Sequence, residues 1–391
     1  MDLGLGRVEE AMMRLGHPER RLGRVVHVGG TNGKGSTAAM VAAILGAAGL
    51  RTGLFTSPHL ARVTERIRVG GVEISPGALA DSYARADVGE LTFFEQLTVT
   101  ALLAFAEAGV EATVLEVGLG GRLDATNVVD AEVAVVTGVA LDHQEVLGSD
   151  LASIAREKAG IWKAGRVAVI GEGGEPEAVP VLVAEAERVG ARIVRAGSSV
   201  PWPVGLAGAH QVRNAACAVA ATAALGIGAP AQRQGLADVR WPGRLEDIEG
   251  VLLDAAHNPQ GARALAAALS GETRPLAVVV AVSSDKDVAG VVGELAARAA
   301  LLVATEAPSS RALPAAALAA VAERFAPGRV VVEPDFRAAL ARARASGGRV
   351  VVFGSLFLVG AVRAGLIGEA VDPVPLADPA KVAPSSQRVV K

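Results

Sequence analysis

Gly30-Thr31-Asn32-Gly33-Lys34-Gly35-Ser36-Thr37 is the stretch of this chain best suited to chemistry on a polyphosphate. Its glycines let backbone N–H groups face phosphate oxygens, Lys34 neutralises charge, and Ser36 can reach a bound magnesium. The spacing departs from the common G-x-x-x-x-G-K-[ST] pattern, because Val28 occupies the place of the first glycine and Gly35 follows the lysine. A nucleoside triphosphate site is expected here.

Lysine usage sharpens that expectation. The chain holds 32 arginines but only six lysines, at positions 34, 158, 163, 286, 381 and 391. Where a generic cation suffices, arginine is used, so Lys34, Lys158, Lys163 and Lys286 become candidates for work that a permanently charged guanidinium cannot do. His59, His143, His210 and His257 fall in polar or glycine-rich clusters at the ends of predicted elements, whereas His27 sits mid-strand and reads as packed, and His17 as exposed. Glu116 ends an apolar strand just before a glycine-rich run, where open parallel sheets bind ligands, and it suits magnesium. The single Cys217 excludes an internal disulfide and a multi-cysteine zinc site, and reads as a small buried helix residue.

The elements that must position these residues alternate between strand and helix. Val25 to Val28 reads as a buried strand, and Ser36 to Ala48 as the helix after the glycine turn. Strands are expected at Thr113 to Val117, Val133 to Thr137, Arg166 to Ile170 and Arg192 to Val194, with helices over Phe93 to Ala108 and Leu151 to Trp162, which implies a mostly parallel sheet. The alternation resumes after Trp241-Pro242-Gly243-Arg244, with strands near Val251 to Asp254, Leu276 to Val282, Leu301 to Thr305, Val330 to Val332 and Arg349 to Phe353. This second unit has no G-x-G-x-x-G after its first strand, so a dinucleotide reading has no local support. No internal repeat is visible.

At 391 residues the chain exceeds what one core usually organises, so two domains are expected. A net charge of -3 leaves no electrostatic footprint for nucleic acid. No apolar stretch suits a membrane span and no secretory signal is seen at the start, so a cytoplasmic protein is expected.

Several further motifs occur in one order: Thr56-Ser57-Pro58-His59-Leu60 with Glu65-Arg66-Ile67, Leu91-Thr92-Phe93-Phe94-Glu95, Glu116-Val117-Gly118 through Asn127, Leu141-Asp142-His143, Glu157-Lys158-Ala159-Gly160-Ile161 and Asp254-Ala255-Ala256-His257-Asn258-Pro259. In this the chain resembles the bacterial folylpolyglutamate synthase/dihydrofolate synthase family of the Mur ligase superfamily, from Asp2 to about Gly365. The resemblance implies an α/β architecture: a P-loop ATPase domain with a mostly parallel sheet over 1–240, a linker at 241–249 and a smaller Rossmann-like domain over 250–370, while the Pro-, Ala- and Ser-rich composition of 371–391 suggests a flexible tail.

It also implies an ATP-dependent carboxylate-amine ligase that adds L-glutamate to dihydropteroate, to the γ-carboxylate of folates, or to both, through an acyl phosphate. By resemblance, Thr31, Asn32, Gly33, Lys34, Gly35, Ser36, Asn214, Arg244 and Asp254 contact ATP. Ser57 and Glu116 would hold one magnesium, and His143 a second with Lys158, which would be carbamylated because an ammonium cannot ligate a metal. Lys34, Lys158, His257 and Arg66 are the expected catalytic residues. Asp2, Thr92, Phe93, Phe94, Glu95, Leu123, Asp124 and Ala125 match the pterin site. The expected partners are small molecules, and the expected state is a monomer. The alternatives are a monofunctional folylpolyglutamate synthase, a Mur-like ligase of another substrate, and a P-loop regulatory NTPase.

Overall fold

The computed structural model describes residues 4–372. Asp2, Lys381, Lys391 and all but the first residues of the expected tail lie outside them.

Two sheets organise the chain. The first contains β1 (Arg24–Gly29), β2 (Thr52–Phe55), β3 (Ile67–Val69), β4 (Val72–Glu73), β5 (Ala112–Glu116), β6 (Val133–Val136), β7 (Val167–Ile170) and β8 (Arg192–Arg195). Their spatial order is β4-β3-β2-β5-β1-β6-β7-β8, and only the β2–β3 and β3–β4 pairings run antiparallel. β1 is therefore central, with β5 and β6 parallel on either side. Its near-continuous apolar run is what a strand covered on both faces requires. Val26 and Val28 pack against the helix Lys34–Ala47 and the helix Ala209–Ala224, while Val25 joins the opposite layer around Phe105 and Leu102.

The second sheet contains β9 (Glu246–Ile248), β10 (Val251–Leu253), β11 (Leu276–Val280), β12 (Ala299–Ala304), β13 (Val330–Val332) and β14 (Arg349–Phe353), in the order β13-β12-β11-β14-β10-β9. Helices cover both faces, Pro259–Ala268 and Val288–Ala296 on one and Phe336–Ala345 and Leu356–Ile367 on the other.

All ten expected strands are present. Four others were not foreseen. β3 and β4 are three and two residues long, too short for periodicity to register, and the apolar run of β2 is broken by Gly53, which lies against the Phe105 ring. The β3–β4 hairpin had a signal all the same, since Gly70 and Gly71 turn with φ of 58° and 82°, the paired left-handed conformations of a tight hairpin. β9 lies in the stretch expected as linker, where Glu246-Asp247-Ile248 pairs antiparallel with β10 as an edge strand. Cys217 is buried as expected, 1% exposed, and burial pushes its thiol up to about 12. Among the described residues no helix is long and apolar enough to cross a membrane.

Candidate active site

The glycine-rich loop leaves β1 and enters the helix Lys34–Ala47 through Gly33, which has φ 82°. A side chain here would be strained, and its Cβ would lie 2.3 Å from Asn214 Oδ1. The loop is strapped to the exit of β6: Thr31 N donates to Gly138 O at 2.9 Å, Thr31 Oγ1 accepts from Ala140 N at 3.0 Å, and Thr137 Oγ1 donates to Asn32 O at 2.7 Å. Lys34 Nζ folds back to Thr31 O at 3.2 Å. Ser36 Oγ accepts from Gln211 Nε2 at 3.2 Å, and Gln211 Oε1 accepts from Asn214 Nδ2 at 2.9 Å.

Glu116 stands at the end of β5, 5% exposed. One oxygen accepts from Ser57 N at 3.0 Å, and a Cβ at Gly35 would lie 3.4 Å from that same oxygen. The carboxylate therefore faces the start of the P-loop helix. Burial raises its pKa, opposed first by the Lys34 charge. Lys158, 4% exposed near the end of the helix Leu151–Ala159, donates to Gly30 O at 3.0 Å. Burial, reinforced by Lys34, pushes its ammonium down to about 7, so a large neutral fraction is present near neutrality.

The second sheet supplies the facing wall. Asp254 Oδ2 and Oδ1 accept from Leu245 N and Ala256 N, both at 2.9 Å, which fixes the turn carrying Arg244 and His257. His257 Nδ1 lies 2.9 Å from Ala255 O, an acceptor only, so Nδ1 carries the proton and Nε2 keeps its lone pair. Burial, then Lys286, pushes this imidazole down to about 4.

Polar contacts join the two walls. Lys286 Nζ meets Asp142 Oδ1 at 2.9 Å, and Asn258 Nδ2 reaches Asp142 Oδ2 at 3.1 Å and Asn32 Oδ1 at 3.0 Å. Gln260 bonds Asn32 and also Gly173 O, the latter at 2.9 Å. Asp142 is held well below the ordinary carboxylate range: burial works against this, but Lys286 and then His143 and His257 outweigh it.

One cleft between the walls gathers Gly30 to Ser36, Ser57, Glu116, His143, Lys158, Arg244 and His257. A second opens beside it, shares Asn32, Gly33, Ser36, Arg244 and His257, and is lined further by Asn214 and Asp254. The expected ATP and metal positions thus meet in adjoining clefts. Three of the six lysines, Lys34, Lys158 and Lys286, line the first cleft, and Lys163 does not. Sequence reasoning flagged Lys286 through lysine scarcity but missed Gln211, Gln260, Ser283 and Arg311, which carry no local motif.

Other expected positions have different surroundings. Arg66, 2% exposed, does not line the cleft. Its Nε donates to His59 Nδ1 at 2.8 Å, its guanidinium lies 5.8 Å from the Phe93 ring centroid, and its charge helps lower the Glu116 pKa against burial. Thr92 and Glu95 form a capping box on the helix Phe93–Ala108, and Arg7 clamps the Glu95 carboxylate at 2.8 Å. Phe94 is core, its ring 6.0 Å from that of Phe55. Asp124 accepts from Leu119 N and Thr126 N, Ala125 is buried and Leu123 half-buried. None of these lines the cleft around Lys34.

Residues 28–197 match the Mur ligase middle domain, and residues 243–356 match the Mur ligase glutamate ligase domain. The dihydrofolate synthase/folylpolyglutamate synthase of Mycobacterium tuberculosis is 40% identical over 401 residues, spanning 87% of this chain and 82% of that protein. The crystal structures of Mycobacterium tuberculosis folylpolyglutamate synthase complexed with ADP and AMPPCP superpose with a TM-score of 0.87 at 37% identity, over 93% of this chain and 95% of that one. Escherichia coli FolC in complex with DHPP and ADP superposes with a TM-score of 0.86 at 36% identity, over 94% of each chain. With both Mur ligase domains matched in order and relatives of this identity along most of its length, the chain belongs to the Mur ligase family, among its dihydrofolate synthase/folylpolyglutamate synthases.

Proposed function

We propose that this chain is an ATP-dependent ligase that joins L-glutamate to dihydropteroate, to the γ-carboxylate of folates, or to both. The observation that carries the reading is the cleft between the two sheets, where Lys34, Lys158 and Lys286 converge with Glu116 and the P-loop amides. The Lys34 and Arg244 cations, with the helix-terminal N–H groups of the P-loop, suit a triphosphate and the charge that moves with a phosphoryl group.

The P-loop and Lys34 would hold the phosphates, with Asn214, Arg244 and Asp254 around the rest of the nucleotide in the adjoining cleft. The acceptor carboxylate attacks the γ-phosphorus, the bond to the β-γ bridging oxygen breaks, and ADP leaves. The amine of glutamate then attacks the acyl phosphate carbon, loses a proton, and phosphate departs. His257 Nε2 keeps a lone pair facing the cleft and would accept that proton only in passing, since burial pushes the imidazole down to about 4. The polar contacts between the walls would keep water away from the acyl phosphate.

The donors present fit magnesium: Glu116 is a buried carboxylate that burial penalises, and the Ser36 and Ser57 hydroxyls are hard oxygen ligands beside it. Magnesium held there would neutralise charge on the transferring phosphoryl group. Among the described residues no group of three His, Cys, Asp or Glu could hold a metal, in keeping with an ion that shares its shell with phosphates and water. For the second expected ion, Lys158 would add CO2 through its neutral amine, releasing a proton and becoming an anionic carbamate beside His143.

Both walls come from one chain, which supports a monomer, and ATP and glutamate as substrates support a cytoplasmic enzyme. Residues 1–240 would hold the phosphates of ATP and the folate, and 250–370 glutamate, with the nucleotide bridging the two through Arg244 and Asp254. The deciding measurement is glutamate-dependent ADP release with dihydropteroate and with a reduced folate monoglutamate, followed by mass spectrometry. A mass gain of one glutamate on both acceptors establishes both activities, and ADP release that ignores glutamate removes the ligase reading.

A further inference from the structure

His27 is wholly buried one turn of chain before the P-loop, and the reaction described above makes no use of it. Its Nε2 lies 2.7 Å from Thr126 Oγ1, and that hydroxyl bonds Asp124 Oδ1. Asp124 Oδ1 also accepts from Thr126 N at 3.0 Å, and Oδ2 from Leu119 N at 2.9 Å. His27 Nδ1 is buried with no hydrogen-bond partner among the described residues.

Counting donors and acceptors fixes the direction of this chain. Burial raises the Asp124 pKa, but both of its oxygens face backbone amides that a carboxyl proton would oppose, so it is an acceptor and the Thr126 hydroxyl donates to it. The hydroxyl oxygen is then left to accept, so His27 Nε2 carries the proton. Nδ1 is left as a buried lone pair, which is cheaper to leave unpaired than a buried N–H. The reverse polarity would strand that N–H and set a protonated carboxyl against amide donors.

We propose that His27 is a positioning residue, whose Nε2–H closes a buried His27–Thr126–Asp124 chain that pins the Gly118–Gly120 loop against the phosphate cradle. The route is short. Leu119, held by Asp124, sits with Gly118 and Gly120 on the cleft wall next to Glu116, while β1, which carries His27, runs straight into the P-loop. The same run is tied to the Lys158 helix through Asn127 Nδ2, which donates to Gly160 O at 3.1 Å. Loosening Asp124 would therefore shift the wall that faces the transferred phosphoryl group and leave the P-loop contacts intact. This goes beyond the ligase reading, and only its kinetic test rests on it.

Two measurements test it on the full chain. Nitrogen-15 NMR of the imidazoles should give His27 as the neutral Nε2–H form; an Nδ1–H form or an imidazolium overturns the proposal whatever the protein catalyses. In the kinetic test, Thr126→Val removes the relay hydroxyl at nearly constant volume and Thr126→Ser keeps it. Loss of a hydrogen bond to a charged group predicts kcat lower by about tenfold for Thr126→Val, with ATP affinity unchanged and Thr126→Ser close to the parent. Likewise His27→Gln, which keeps an N–H donor, should retain more activity than His27→Phe. Equal kcat for the Val and Ser variants overturns the proposal, as does a parallel loss of ATP affinity, which would mark a general structural role.

Discussion

Lys158 is where residue-scale chemistry is most exposed to test. Its ammonium is pushed down to about 7 by burial, against an ordinary value of 10.5. Between those two pH values the unfolded chain binds the extra proton, so stability rises with pH across that window and the burial penalty is fully present below it. Lys158→Met should therefore stabilise the ligand-free protein by roughly 2 to 4 kcal/mol at pH 6, with the gain shrinking by pH 9.5, while abolishing ligation. Urea melts at the two pH values, beside an ADP-release assay, check both halves; a variant that is active and no more stable contradicts the role assigned here. Lys34→Ala should lose measurable ATP binding by calorimetry, since no other lysine comes off the P-loop. Residue types carried these assignments because scarce lysines and a strand-end carboxylate are visible in one dimension. Whether Thr92, Phe94 or Asp124 faces a ligand or caps a helix is not, because capping and recognition use the same side chains and differ only in what lies across from them.

At the scale of elements, the loop that joins β1 to its helix depends on one backbone conformation. Gly33→Ala places a methyl where φ is 82° and Asn214 Oδ1 already fills the space. The expected cost is about 1 to 3 kcal/mol of stability, together with weaker ATP binding as Asn214 is displaced, measurable by thermal melts with and without nucleotide. The buried apolar strands β1, β5, β6, β7, β11 and β14 could be anticipated, because a strand covered on both faces is an uninterrupted apolar run. β3, β4 and β9 are short edge or near-edge pieces that owe their strand character to a neighbour, as Glu246-Asp247-Ile248 does to β10, whereas β2 is a buried strand whose apolar run is broken by Gly53. Only the Gly70-Gly71 turn between β3 and β4 marks any of them locally.

For the whole molecule, two runs of strand-helix alternation told of two sheets, but not of how they meet. Asn32 and Asn258 are separated by 226 positions and touch only because the sheets are apposed. Across that apposition the Lys286–Asp142 pair, at 2.9 Å, is the tighter of two charged ties beside the clefts, the other being Arg263–Glu175 at 3.9 Å. The Asp142 carboxyl lies below its ordinary value, so the contribution of this pair is complete above about pH 4 and is lost only as pH falls through the depressed value. Lys286→Ala strands a half-buried carboxylate, which should shift the ligand-free protein toward an open arrangement at neutral pH. Small-angle scattering should then show a larger radius of gyration with unchanged circular dichroism. Replacing both partners, as Asp142→Asn with Lys286→Met, should recover much of the compact form.

Cys217 lies beneath the glycine turn that follows β7, where a Cβ on Gly171 would be 2.6 Å from its sulfur. With the thiol pushed up to about 12, maleimide at pH 7 should leave the native protein unlabelled, as intact mass would show. The chain is thus a ready background for fluorophores: one cysteine added to each lobe, and a dye pair attached to them, would let the opening and shutting of single molecules be timed without first removing a native thiol.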